Sequence, residues 1–367
     1  MLAYALGVGL FVLGICVSVA LHEAGHMLTA KAFGMKVRRF FVGYGPTVFS
    51  FHRGETEYGL KWLPFGGFCD IAGMTALDEV TPAESPRAMW RFKAWKRTVV
   101  MASGSAAHLL LGFVLLYTMA VTMGLPNVTG SPDVAAVTGG APAQAAGIRP
   151  GDRIMAVAGQ STPTYGDAIT RIHQSAGPIT VEVRRDGRSV PVTVDVRDGA
   201  IGVTFARMYA YGPVTGIRGA AEFTGRMFGE TWQRMLELPG RIPAVVHSIF
   251  GGERDPNSPM SVVGMSRVGG EAVQQGLWPL FLLLLASFNF FIGVFNLLPL
   301  LPMDGGHVAV IWYERIRDAV RGLFGKAAAG PVDYSRLAGV TMVLVFAGAA
   351  VTLLTVAADV VNPVRLS

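Results

Sequence analysis

Residues Leu2 to His26 read LAYALGVGLFVLGICVSVALHEAGH. Twenty residues without a charge, Leu2–Leu21, run directly into two histidines and a glutamate. A helix needs about 20 apolar residues to cross the hydrocarbon core of a bilayer. The first part therefore reads as a spanning helix, and the second as polar chemistry at its end. Three further runs contain no Asp, Glu, Lys or Arg: Thr98–Pro132, Ala272–Met303 and Leu337–Ala358. A soluble protein can bury one such helix. Four of them define a polytopic α-helical membrane protein with about four transmembrane helices. Composition agrees: 51% of the 367 residues are hydrophobic and 15% are charged, where soluble domains carry about 25% charged residues.

The first run is expected to be retained rather than removed as a signal peptide. No Lys or Arg precedes Lys31, the run is too long for a signal h-region, and no small-residue cleavage pattern stands out. Cys16 and Cys69 fall in the first helix and in the loop after it, so no disulfide framework is implied. The net charge of +6 is not a nucleic-acid signal; it orients the chain. Residues 31–97 hold eleven Lys+Arg against six Asp+Glu, whereas 123–276 hold fourteen against thirteen. Five of the six lysines lie in the first of these segments, and the sixth, Lys326, lies between the third and fourth runs. The positive-inside rule then places both lysine-bearing segments in the cytoplasm, with the middle region and both termini outside.

The connecting regions differ in character. VRRFFVGYGPTVFSF and TEYGLKWLPFGGF alternate aromatic and β-branched residues with glycines, which predicts short strands and tight turns. This loop is apolar enough to lie on or dip into the membrane face. From Ser131 to Arg197 the composition is that of a soluble α/β module. AGIRPGDRIMAVAGQ reads as turn, strand, turn, and DAITRIHQSA has helical spacing. PITVEVRRDGRSVPVTVDV reads as two strands joined at Asp186-Gly187. Residues 214–250 place Arg218, Glu222, Arg226, Glu230 and Arg234 on one side of an amphipathic helix suited to a membrane surface. The expected divisions are a first transmembrane helix (1–30), a β-rich loop (31–97), a second transmembrane helix (98–125), the α/β module (127–200) and an amphipathic connector (201–271). A third transmembrane segment (272–312), a cytoplasmic loop (313–335) and a fourth transmembrane helix (336–361) complete the chain.

His22, Glu23 and His26 form H-E-x-x-H. Residues four apart share a helix face, so both imidazoles reach one metal ion, and Glu23 sits one step around, next to a water on that ion. Neutral imidazoles at this spacing suit Zn2+, and the carboxylate suits a general base. The bland alternative is a polar turn where the helix leaves the membrane, but ionisable groups at a span are costly and functional by default. A catalytic zinc takes three protein ligands. Asp304 closes the 32 uncharged residues ending at Met303, in a stretch broken by Pro299 and Pro302 and loosened by Gly305-Gly306. It is the preferred third ligand, with His307 as competitor.

H-E-x-x-H in the first span with N-x-x-P-x-x-P-x-D-G in a later one resembles the site-2 protease family of intramembrane zinc metalloproteases. The likeness is greatest to bacterial members that cut membrane-bound anti-sigma factors, and among those to actinobacterial members with a single PDZ domain. VGYGPTVFSFHRGETEYGLKWLPFGGF is similar to that family's membrane-associated β-hairpin loop, AGIRPGDRIMAVAGQ to its PDZ domain, and SPMSVVG also has a counterpart there. The resemblance implies His22, His26 and Asp304 as zinc ligands and Glu23 as catalytic base. It implies Asn296 as a substrate-positioning residue, and a bacterial plasma-membrane location with the PDZ domain extracytoplasmic. The substrate would be a single-pass transmembrane protein, an anti-sigma factor, already shortened by a first cut. The PDZ domain would act as a gate against untrimmed substrates, or else as a peptide-binding recruiter; the lack of a Gly-Φ-Gly-Φ loop in 127–140 favours the gate. The first-loop strands around Trp62, Pro64, Gly66 and Gly67 are the candidate edge for an unwound substrate, or else a brace for the active-site helices.

Two positions depart from the family pattern. Met303 replaces a leucine. His108 stands four residues after Gly104, where asparagine is usual, and can donate a hydrogen bond to a substrate carbonyl. His108 is also the one hint of an inactive scaffold of the same fold. A metal transporter is a further alternative, since transporters place His and Asp in broken helices; a general base beside a single closed site argues against it.

Overall fold

A computed structural model describes residues 1–75, 77–255 and 258–366, and within it the side chains of residues 64 and 65 are not described. Helix α1 spans Leu2–Ala32 and ends where Gly34 takes φ +82°, the left-handed geometry that glycine supplies at helix C-termini. Strands β1 (Val37–Arg53) and β2 (Thr56–Ile71) form an antiparallel hairpin. Helix α2 runs from Ala94 to Thr122. The middle module follows, with β3 (Leu125–Pro126), β4 (Val134–Val137), α3 (Pro142–Ala145), β5 (Arg153–Val157) and β6 (Gln160–Ser161). It continues through α4 (Tyr165–His173), β7 (Gly177–Arg185), β8 (Arg188–Val196), β9 (Val203–Phe205) and β10 (Met208–Tyr209). The rest is helical: α5 (Pro213–Ile249), α6 (Val262–Gln274), α7 (Trp278–Asn296), α8 (Asp304–Leu323) and α9 (Tyr334–Val361).

Among the described residues, four helices are long and apolar enough to cross a membrane: α1, α2, α7 and α9. They correspond to the four charge-free runs. The chain divides into two compact units, Met1–Leu116 with Ala221–Ser367, and Tyr117–Ala220.

In the first unit, α1 buries Gly7, Phe11, Ile15, Ser18, His22, His26 and Ala30. The steps of three and four put them on one stripe, so the histidines continue the line of core residues. Phe11 and Ile15 pack with Ala272, Val273, Phe281, Leu285 and Phe288 of α6 and α7. Lower on the same helix, Ala30 joins Met35, Val37, Ile71, Val100, Met101 and Ile311, which ties α1 to the hairpin, α2 and α8. The hairpin is not two straight strands. Gly43, Gly45 and Gly66 take positive φ, and Arg39–Val42 therefore has partners both in Gly67–Asp70 and in Glu57–Leu60. The expected short strands and tight turns are merged into two long, bulged ones.

The second unit has its own core of Val134, Ile148, Ile154, Val157, Ala168, Ile172, Val181, Val183, Val194, Ile201 and Phe205. A four-stranded sheet runs in the order β6-β5-β7-β8, and Asp186 and Gly187 (φ +48° and +80°) make its β7–β8 turn. Thr164 and Asp167 cap α4 reciprocally. Strand pairing carries this module past the boundary expected at 200, because β9 pairs with β4 and β10 with β3. The region expected as a loop at 313–335 is likewise helical as far as Leu323.

Candidate metal centre

The α1 stripe brings His22 and His26, 8% and 6% exposed, to the protein side of the helix. Their Nε2 atoms lie 3.2 Å apart. The third group comes from the other end of the sequence. Helix α7 stops at Asn296, the chain turns through Pro299 and Pro302, and α8 starts at Asp304. A carboxylate in the first turn of a helix is favoured by the exposed backbone N–H groups there. Asp304 Oδ2 lies 3.4 Å from each histidine Nε2.

These distances can be tested against zinc. Bonds of about 2.0–2.1 Å in tetrahedral geometry require ligand–ligand edges of about 3.3–3.4 Å. The observed triangle of 3.2, 3.4 and 3.4 Å fits. Electron count points the same way. His26 Nδ1 donates to the carbonyl oxygen of Val100 at 2.8 Å, leaving Nε2 of the neutral ring as a lone pair. Asp304 Oδ2 is buried without a hydrogen-bond partner. Lone pairs converging in a buried space repel unless a cation lies between them. Among the described residues, His22, His26 and Asp304 form the group able to hold a metal ion. His307 is directed elsewhere, with Nδ1 3.3 Å from the Tyr334 hydroxyl and the two rings stacked.

Helix α2 forms one wall. A Cβ at Gly104 would lie 2.4 Å from His26 Nε2 and 2.5 Å from His22 Cε1, so this position must lack a side chain. One turn further on, His108 is 2% exposed and its ring centre lies 5.1 Å from that of His22. His108 Nδ1 lies 2.9 Å from Asn289 Oδ1 of α7. The hairpin forms another wall. Glu23 interacts with the backbone amide of Cys69 on β2, and a Cβ at Gly67 would come 3.1 Å from Glu23 Cγ and 2.9 Å from the Phe41 carbonyl oxygen.

The remaining expected residues are more scattered. Asn296 is half-buried at the end of α7, Gly66 is half-buried, and Trp62 is 72% exposed. The Pro64 side chain lies outside the described ones. Sequence reading missed Asn289 and Val100. Asn289 had a signal, an amide in the middle of a 19-residue apolar helix, which needs a partner inside a membrane. The Val100 carbonyl had none, since its role comes from the backbone.

Four helices of spanning length and a His22-His26-Asp304 cluster with Glu23 on the same helix are features of a membrane metallopeptidase. The family model for peptidase family M50 matches residues 10–332. The chain is 42% identical to zinc metalloprotease Rip1 of Mycolicibacterium smegmatis over 402 aligned residues, covering 99% of both proteins. It is likewise 42% identical, with 99% of both covered, to zinc metalloprotease Rip1 of Mycobacterium tuberculosis strain H37Rv. The chain belongs to peptidase family M50, the site-2 proteases.

Proposed function

We propose that this chain cuts single-pass membrane proteins within their transmembrane segments, with His22, His26 and Asp304 holding Zn2+ and Glu23 acting as general base. As a member of family M50, the chain is a multi-pass membrane zinc metalloprotease. The assignment of roles rests on one observation: two helices from opposite ends of the sequence bring three electron-pair donors to within 3.4 Å of one another.

Zinc at such a centre supplies a Lewis acid that polarises a carbonyl oxygen and acidifies water. The protein does the rest. The hydrogen bond from His26 to Val100 fixes the ring tautomer and aims Nε2 at the ion, as outer-shell partners do. Glu23 takes the proton from the attacking water and passes it to the leaving amine nitrogen, a shuttle worth about 10²–10⁴-fold in rate. Lipid offers an unwound substrate no hydrogen bonds. Strand β2 abuts Glu23 at Gly67 and Cys69, so a substrate strand added to the hairpin would pass the base directly.

Charge distribution supports the proposed sidedness, and the family resemblance supports the PDZ and substrate assignments. Hairpin and site face the cytoplasm, and the hairpin is membrane-associated, with Tyr44, Phe49, Phe51, Trp62 and Leu63 each more than half exposed. The module spanning β3 to β10 is a PDZ domain on the outer side, where it gates access by untrimmed substrates. The expected substrate is an anti-sigma factor after a first extracytoplasmic cut.

The test compares wild type with Glu23→Gln on a tagged single-pass substrate already shortened on its outer side, with zinc measured in both. Cleavage by wild type alone, with equal zinc, supports the roles given. Equal zinc with cleavage by both removes Glu23 as base.

A further inference from the structure

Beside the site lies a buried polar contact that the mechanism above does not use. Asn289 is 0% exposed on α7, and His108 is 2% exposed on α2. The amide nitrogen of Asn289 donates to the Leu285 carbonyl oxygen at 2.8 Å. That contact fixes which way the amide points, because the flipped amide would set two oxygens against each other. The atom 2.9 Å from His108 Nδ1 is therefore the amide oxygen, which can only accept. His108 must carry its proton on Nδ1. In the neutral ring Nε2 is then a bare acceptor, on a ring centred 5.1 Å from the ring of His22.

We propose that Asn289 is a positioning residue that locks His108 in the Nδ1–H tautomer, so that His108 Nε2 accepts a hydrogen bond from a backbone N–H of the unwound substrate. Sequence reading expected a donor at His108; the amide across the helix interface reverses that polarity. An acceptor suits the task. Unwinding a helix in lipid frees N–H groups that must find acceptors, while the carbonyl under attack is served by the metal side. An acceptor lone pair also sits more favourably near a metal cation than a second N–H would. Gly293, one turn beyond Asn289, lets α7 approach this ring, since a Cβ there would lie 3.2 Å from His108 Cβ. The acceptor role rests on the protease reading; the tautomer does not.

The experiment has two arms, so that either part can fail alone. Histidine-selective ¹⁵N NMR of the zinc-loaded chain in lipid nanodiscs reads the tautomer, with the His108 signal assigned by its loss in His108→Asn. Wild type is expected to show a protonated Nδ1 and a bare Nε2, and Asn289→Leu to lose that bias. A proton on Nε2 in wild type overturns the proposal whatever the activity. The second arm measures cleavage in a double-mutant cycle. Asn289→Leu is expected to lower turnover about ten-fold with His108 present, but only about two-fold in the His108→Asn background, where there is no imidazole to orient. Equal losses in both backgrounds would make Asn289 a packing residue only and overturn the proposal. His108→Asn, which can still accept, should retain more activity than His108→Leu; equal loss in the two contradicts the acceptor role.

Discussion

His26 Nδ1 donates to the Val100 carbonyl oxygen across the α1–α2 contact at 2.8 Å, in the same place where Gly104 leaves room for both imidazoles. Helix α2 thus orients one of the two proposed ligands with its backbone and makes room for both imidazoles by lacking a side chain.

Gly104→Ala should therefore damage the metal centre more than the fold. Its methyl would sit 2.4 Å from His26 Nε2, displacing the ring. Zinc affinity should fall about 10–100-fold, as when an outer-shell contact is lost. Gly9→Ala is the control, since a Cβ there meets nothing within 4 Å. Competition with a fluorescent chelator gives both affinities. Equal values for the two variants would remove α2 from the site.

Asp359 and Arg254 form an ion pair, 2.7 Å long, with side chains 1% and 4% exposed. Asp359 also accepts from the Ser261 backbone N–H at 2.6 Å, so one carboxylate fastens the end of α9 to the start of α6. Asp359→Ala leaves a buried guanidinium uncompensated and should cost about 3–5 kcal/mol. Replacing both partners by apolar residues should recover much of it. Thermal unfolding in detergent measures each variant, and a double replacement no better than the single would contradict the pairing argument.

Glu84 is pulled down to about 2 by its hydrogen bonds from Arg38, against the cost of burial. These contacts hold the segment after β2 to the hairpin. A depressed carboxylate contributes stability above its unfolded value, about 4.3, and loses it as pH falls through the folded value. Protease protection of residues 77–87 should therefore decline between about pH 4.3 and 2. Glu84→Gln should remove that dependence; a decline of the same size in the variant would assign it to other groups.

Much of this was legible in the sequence, for reasons that differ by residue. The four spans follow from charge-free length, which lipid enforces strictly. His22 and His26 follow from helical periodicity. Asp304 was legible as the residue that closes a charge-free run and through the family resemblance, whereas the contact with Tyr334 of α9 that turns His307 away is encoded by no local pattern. The end of the middle module was hidden because β9 and β10 are three and two residues long, too short to carry a pattern. The partnership of His108 with Asn289 joins residues 181 apart, which no local pattern encodes.

The most direct measurement is zinc X-ray absorption on the purified chain, for wild type and Asp304→Ala. The account predicts nitrogen and oxygen neighbours at about 2.0–2.1 Å, with multiple scattering from two imidazoles and a lost protein oxygen in the variant. A wild-type spectrum with three imidazoles, or one unchanged by removing Asp304, would contradict the centre described.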